Sequence, residues 1–166
     1  MASAAVAGVL AVAERDRVGR NMRTKEFLSK LEHDRIVSAI RAVESKTSGE
    51  IRVYIQRGKL SVDPLIVAQK KFQRLGMYKT RERNAVLIFV APRAHKLAIV
   101  GDRAIYEISG EQFWRYVVDR MRAHFLSMKF SHAIVESIEE VGKLLTRHFP
   151  RTSASTNELP DQVIEE

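Results

Sequence analysis

NAVLIFVAPRAHKLAIVGD, residues 84–102, decides how this chain folds. Residues 85–91 are apolar without interruption and rich in branched and aromatic side chains, which marks a central strand covered on both faces. The polar stretch Pro92-Arg93-Ala94-His95 reverses the chain, and residues 96–101 return beside it. The two runs make an antiparallel hairpin that closes on Gly101-Asp102.

Upstream, Ile51, Val53 and Ile55 alternate with Arg52, Tyr54 and Gln56, a strand with one buried face. Between the two strands, Asp63-Pro64 starts a helix, Leu65, Ala68, Phe72 and Leu75 form its apolar stripe, and Gly76 ends it. Strand, helix and strand in this order make a right-handed crossover, so the first and second strands are parallel and the third runs back. Before them, Ser29-Lys30-Leu31-Glu32 fits a capping box for a helix over 29–46, with Ile36, Val37, Ile40 and Val43 on its apolar side. After the hairpin, Ser109 to Gln112 fits another box and Phe113, Trp114, Val117, Val118 and Met121 share one face. Ser131 then caps a final helix that His148-Phe149-Pro150 closes. The expectation is an α/β three-layer α/β/α sandwich with a small mixed sheet.

Residues 1–22 read as a disordered leader: the apolar part is too short to span a bilayer and lacks the basic start of an export signal. Residues 23–150 form one domain, and 151–166, rich in Ser, Thr and acid, form a flexible tail. No other segment suggests a transmembrane span, so a cytoplasmic location is expected, with export as the alternative if the leader is a signal.

The net charge is +8, and because the tail carries one basic and four acidic residues, residues 1–150 carry about +11. This surplus suits an acidic partner. The basic residues are scattered and no RNA-recognition aromatic signature or zinc-finger spacing is present, so nucleic acid is not the expected one. The protein partner is undefined. The absence of cysteine excludes a disulfide framework, a thiolate metal site and a thiol nucleophile. The histidines at 33, 95, 124, 132 and 148 form no His-Glu-x-x-His pattern, and no phosphate-cradling glycine loop or Gly-x-Ser-x-Gly elbow occurs.

Chain direction brings chemistry to one rim. The third strand runs opposite to the first two, so its end at Asp102 lies at the same edge as Glu50, which starts the first, and Arg81-Glu82-Arg83-Asn84, which precedes the second. Two neighbouring carboxylates can bind a hard cation, share a proton or place water against a phosphate that Arg81 and Arg83 hold. They can also do no more than pair with Arg83. Glu107 and Glu111 follow closely enough to reach the same rim.

KTSGEIRVYI, the Phe-x-x-Leu-Gly-Met helix end, RERNAVLIFVAPRAHKLAIVGD and Phe113-Trp114 together resemble the TPM domain over residues 25–150. That family takes its name from photosystem-II-repair and envelope proteins, and some members are described as acid phosphatases. The resemblance implies an α/β/α sandwich with an acidic cluster at one sheet edge that binds a divalent cation, notably calcium. Glu50 and Asp102, which match the Gly-Glu and Gly-Asp steps, are then its metal ligands. It implies a binding module, in envelope or protein maintenance. The alternatives are a phosphatase acting on phosphomonoesters and a basic adaptor for nucleic acid or anionic membrane. DRAIYEISGEQ (102–112) stands where longer members carry a glycine-rich segment.

Overall fold

A computed structural model describes residues 7–9 and 24–166. Its elements in chain order are β1 (Ala7–Val9), α1 (Thr24–Ser29), α2 (His33–Glu44), β2 (Glu50–Ile55), α3 (Pro64–Arg74), β3 (Ala85–Ala91), β4 (Lys96–Gly101), α4 (Arg103–Ser109), α5 (Glu111–Leu126), α6 (Phe130–His148) and β5 (Ile164–Glu165), with 3-10 turns at Met77–Lys79 and Pro92–Ala94. The strands pair in the order β1-β4-β3-β2-β5. β2 and β3 are parallel, with Glu50 beside Ala85. β4 runs back along β3, with Val86 beside Gly101. The crossover and hairpin are therefore those expected from residues 50–102.

Pairing register sorts the side chains into two layers. Ile51, Val53, Ile55, Val86, Ile88, Val90, Leu97 and Ile99 meet the stripes of α2, α5 and α6, including Ile36, Ile40, Trp114, Ile138 and Leu145. Tyr54, Ala85, Leu87, Phe89, Ala98 and Val100 meet Ala68, Phe72 and Met77 on the other side. The result is an α/β/α sandwich. It also corrects the reading of β2, where all six residues are buried, Arg52 and Tyr54 included. The alternation marks two chemically different faces here, since α3 and the tail cover the polar one.

Helix starts depart from expectation in three places. Ser29 ends α1 rather than capping α2, which begins after Glu32 with no side-chain cap. Ser131 lies inside α6, and its Oγ accepts the backbone N–H of Glu32 at 2.9 Å. A serine on one helix thus satisfies an orphan donor at the start of another. The segment after Asp102 forms α4, and Ser109 and Gly110 end it.

Both chain ends also differ. Ala7–Val9 pairs antiparallel with β4, so part of the expected leader is an edge strand; the rest of residues 1–23 lies outside the described residues. The tail expected to be flexible folds back, and β5 pairs parallel with β2, Tyr54 beside Ile164. Its four acids explain the docking. Glu158 accepts the N–H of Arg81 at 3.1 Å, Asp161 takes Arg41 at 3.2 Å, and Glu165 takes His33 at 2.5 Å. Glu166 accepts the Tyr54 hydroxyl at 2.8 Å and pairs with Arg74. A polar, acidic segment with little apolar content has found its partners on a basic body.

Candidate functional site

Glu50 and Asp102 do lie at one rim and in one row of the sheet. The row runs Glu50, Ala85, Asp102, because Glu50 sits beside Ala85 and the Asp102 N–H donates to the Ala85 carbonyl at 2.9 Å. One strand therefore separates the two acids, a span of about 10 Å between their backbones. Each carboxylate is engaged with a different neighbour.

Asp102 is fully buried. Its Oδ2 takes Arg83 Nε at 2.7 Å and its Oδ1 takes Arg83 Nη2 at 2.9 Å, a two-pronged pair. Oδ1 also accepts the Arg103 N–H at 2.7 Å and caps α4. The Asp102 carboxylate raises the Arg83 guanidinium above its ordinary range, first through this hydrogen bond. Arg83 adopts a left-handed backbone, φ 53°, uncommon for a residue with a side chain, and the pair with Asp102 holds it there. Asp102 is thus a structural clamp between the loop before β3 and the start of α4. Gly101 precedes it because the Trp114 ring occupies the side-chain position: a Cβ there would lie 2.8 Å from Cζ2. Trp114 itself is core.

Glu50 turns to the tail. Its Oε1 accepts the Glu158 N–H at 2.7 Å. Burial pushes its pKa up to about 7. Its neighbour Glu44, at the end of α2, accepts the Ile51 N–H at 2.9 Å, and burial first, with the negative charge of Glu50 and hydrogen-bonded Asp161, pushes it up to about 9. Burial thus favours the protonated form of both carboxyls, that of Glu44 the more. Arg52 is buried among Asp161, Glu44 and Glu50, and desolvation lowers its pKa while their charges oppose that.

A chain of hydrogen bonds joins this group to the loop before β3. Glu158 spans Glu50 and Arg81. Asn84 Nδ2 donates to Ser48 Oγ at 3.1 Å, and Ser48 donates in turn to Glu82. On Glu50 and on the segment before β3, three buried oxygens have no hydrogen-bond partner: Glu50 Oε2, Asn84 Oδ1 and Thr80 Oγ1. Buried polar atoms are nearly always satisfied, so this concentration sets the rim apart. All three are hard oxygen donors of the kind calcium takes.

The other expected contacts fall elsewhere. Arg81 reaches the rim through its backbone N–H. Glu107 pairs with Arg103 and Glu111 with Arg115, each one turn along an exposed helix face, so neither reaches the rim. Glu44, Arg52, Thr80, Glu158 and Asp161 were not anticipated, and Asn84 was expected at the rim only as part of the segment before the second strand. One signal was present: Glu44 continues the Ile36–Ile40 stripe of α2, so its position forced an acid into the core side.

The family model for the TPM domain matches residues 22–144. The chain belongs to the TPM-domain family. In a comparison with solved structures, this TPM domain is similar to the BA42 protein from the psychrophilic bacterium Bizionia argentinensis, determined by NMR. The two share 31% identity and a TM-score of 0.75, over 82% of this chain and 96% of that one. No curated protein matched. No helix among the described residues is long and apolar enough to cross a membrane.

Proposed function

We propose that this TPM domain is a binding module that takes a divalent cation, calcium first, at the rim beside the tail, with Glu50, Asn84 and Thr80 supplying oxygens. The observation that carries this is the buried Glu50 Oε2 without a hydrogen-bond partner, on a rim whose segment before β3 carries two further partnerless oxygens. Asp102, the second expected ligand, acts in this reading through Arg83: it fixes the loop that presents Thr80 and Asn84. A bound cation would satisfy the three oxygens together and offset the burial of the Glu50 charge. The buried Arg52 already supplies one positive charge there, so affinity falls in the weak range, about 10⁻⁴ to 10⁻³ M.

A calcium titration followed by amide NMR tests it. Shifts at residues 48–51 and 80–84 that vanish in Glu50→Gln and persist in Asp102→Asn support the reading. A rim unmoved by millimolar calcium would sink it. The phosphatase alternative has a candidate nucleophile in Ser48, whose hydroxyl donates to Glu82. Hydrolysis of an aryl phosphate that Ser48→Ala abolishes would favour it over simple binding.

A further inference from the structure

A second group of ligand atoms lies on the opposite layer of the sandwich, where α5 turns into α6. His124 stands near the end of α5, and His132 and Glu136 stand one turn apart near the start of α6. Their ligand atoms all lie within 4.8 Å of one another, the only such trio of histidine and acid side chains among the described residues. His124 Nε2 is 2.6 Å from Glu136 Oε2. The rings of His124 and His132 meet edge to face, centroids 4.6 Å apart at 89°.

We propose that His124, His132 and Glu136 bind a transition-metal ion of the zinc class. The donor set is chemically distinct from the rim. Two imidazoles and one carboxylate suit zinc, whereas calcium takes oxygen alone. Three protein ligands leave the fourth tetrahedral position to water. Ligand atoms around one zinc stand about 3.3 Å apart, so atoms within 4.8 Å of one another need draw in by no more than about 1.5 Å to close on an ion.

The surroundings prepare the group. Arg120 pairs with Glu136 Oε1, which leaves Oε2 toward His124. An outer partner of this kind orients a ligating group. The backbone of the turn is fixed as well. The Lys129 N–H donates to the His124 carbonyl at 2.9 Å, and Met128 takes a left-handed conformation, φ 59°. Beneath it, Phe27, Phe125 and Phe130 pack with centroids 4.8 to 6.1 Å apart. His132 remains exposed and supplies the open approach.

The test is calorimetric titration of the full chain, freed of metal by a chelator, with zinc chloride. One equivalent should bind, and His132→Ala should weaken binding by at least about tenfold. His132 is exposed, so that variant keeps its fold. His124→Gln, with folding checked by circular dichroism, should weaken binding similarly. Glu50→Gln should leave zinc binding unchanged, and His132→Ala should leave the calcium shifts of the rim unchanged, so the two sites stand or fall separately. Absence of zinc binding, or equal affinity in wild type and His132→Ala, would overturn the proposal.

Discussion

The rim and the α5–α6 turn both gather acids and cations, and they do so under opposite physical conditions. At the rim, Glu44, Glu50, Arg52 and Asp102 are buried, and the sheet and tail hold them. At the turn, His124 and Glu136 are half-buried and His132 is exposed. Burial turns charge into a structural liability that must be matched, so Glu44, Glu50 and Arg52 carry shifted pKa values and every pairing there bears on stability. Exposure relieves that demand, so the turn can keep a cluster of ligands whose removal costs the fold little. The comparison separates residues that hold the domain together from residues free to serve a ligand.

The largest effect that would break this contrast is removal of the tail. Deleting residues 157–166 strips Glu50 of its Glu158 partner, Tyr54 of Glu166 and β2 of its edge neighbour. The expected loss is about 3 kcal/mol in urea unfolding, from unsatisfied buried groups and lost hydrogen bonds. A change below about 0.5 kcal/mol would mean that the tail does not bury Glu50 in solution.

Asp102→Ala comes next. It leaves Arg83 unpaired in its left-handed conformation and removes the cap of α4. About 2 kcal/mol should be lost by the same measurement. Asp102→Asn, which keeps an oxygen for the cap, should cost less.

A smaller effect is a pH slope. Glu44 and Glu50 have folded-state values of about 9 and about 7, both above the ordinary 4.5. The folded chain therefore holds protons that the unfolded chain has released. This contribution is full below 4.5 and is lost as pH rises through about 7 for Glu50 and about 9 for Glu44. Urea midpoints should fall between about pH 6 and about pH 9, and Glu44→Gln should flatten that fall. An unchanged slope in the variant would place the proton elsewhere.

The smallest effect belongs to the turn: His132→Ala should shift metal-free stability by less than about 0.5 kcal/mol. A larger loss would make the cluster a structural contact like those of the rim.

The parallel pair, the hairpin and the layers were legible in residues 50–102, because apolar period and turn chemistry are local signals. The rim was legible as a place, since chain direction alone carries Glu50 and Asp102 to one edge. Their partners were not legible. Nothing in a single strand states that Ala85 will stand between two acids, or that Arg83 rather than Glu50 will reach Asp102. The tail was misread for a related reason. Its composition excludes a core of its own, but the basic body supplies what it lacks, and that complementarity appears only when both are folded. His132 and Glu136 share a four-residue spacing that could have been read directly, whereas His124 joins them only through the helix turn.

The hydroxyl of Ser131 has a mechanical consequence. It grips the first turn of α2 at Glu32, while Glu44 at the far end of the same helix grips the N–H of Ile51 in the sheet. Glu32 and Glu44 stand twelve positions apart, a strut of about 18 Å. Its ends are anchored by residues 99 and 7 positions away along the chain. Such a strut transmits load rather than absorbing it, and it ties the first turn of α6 to the first turn of α2 and the last turn of α2 to the sheet.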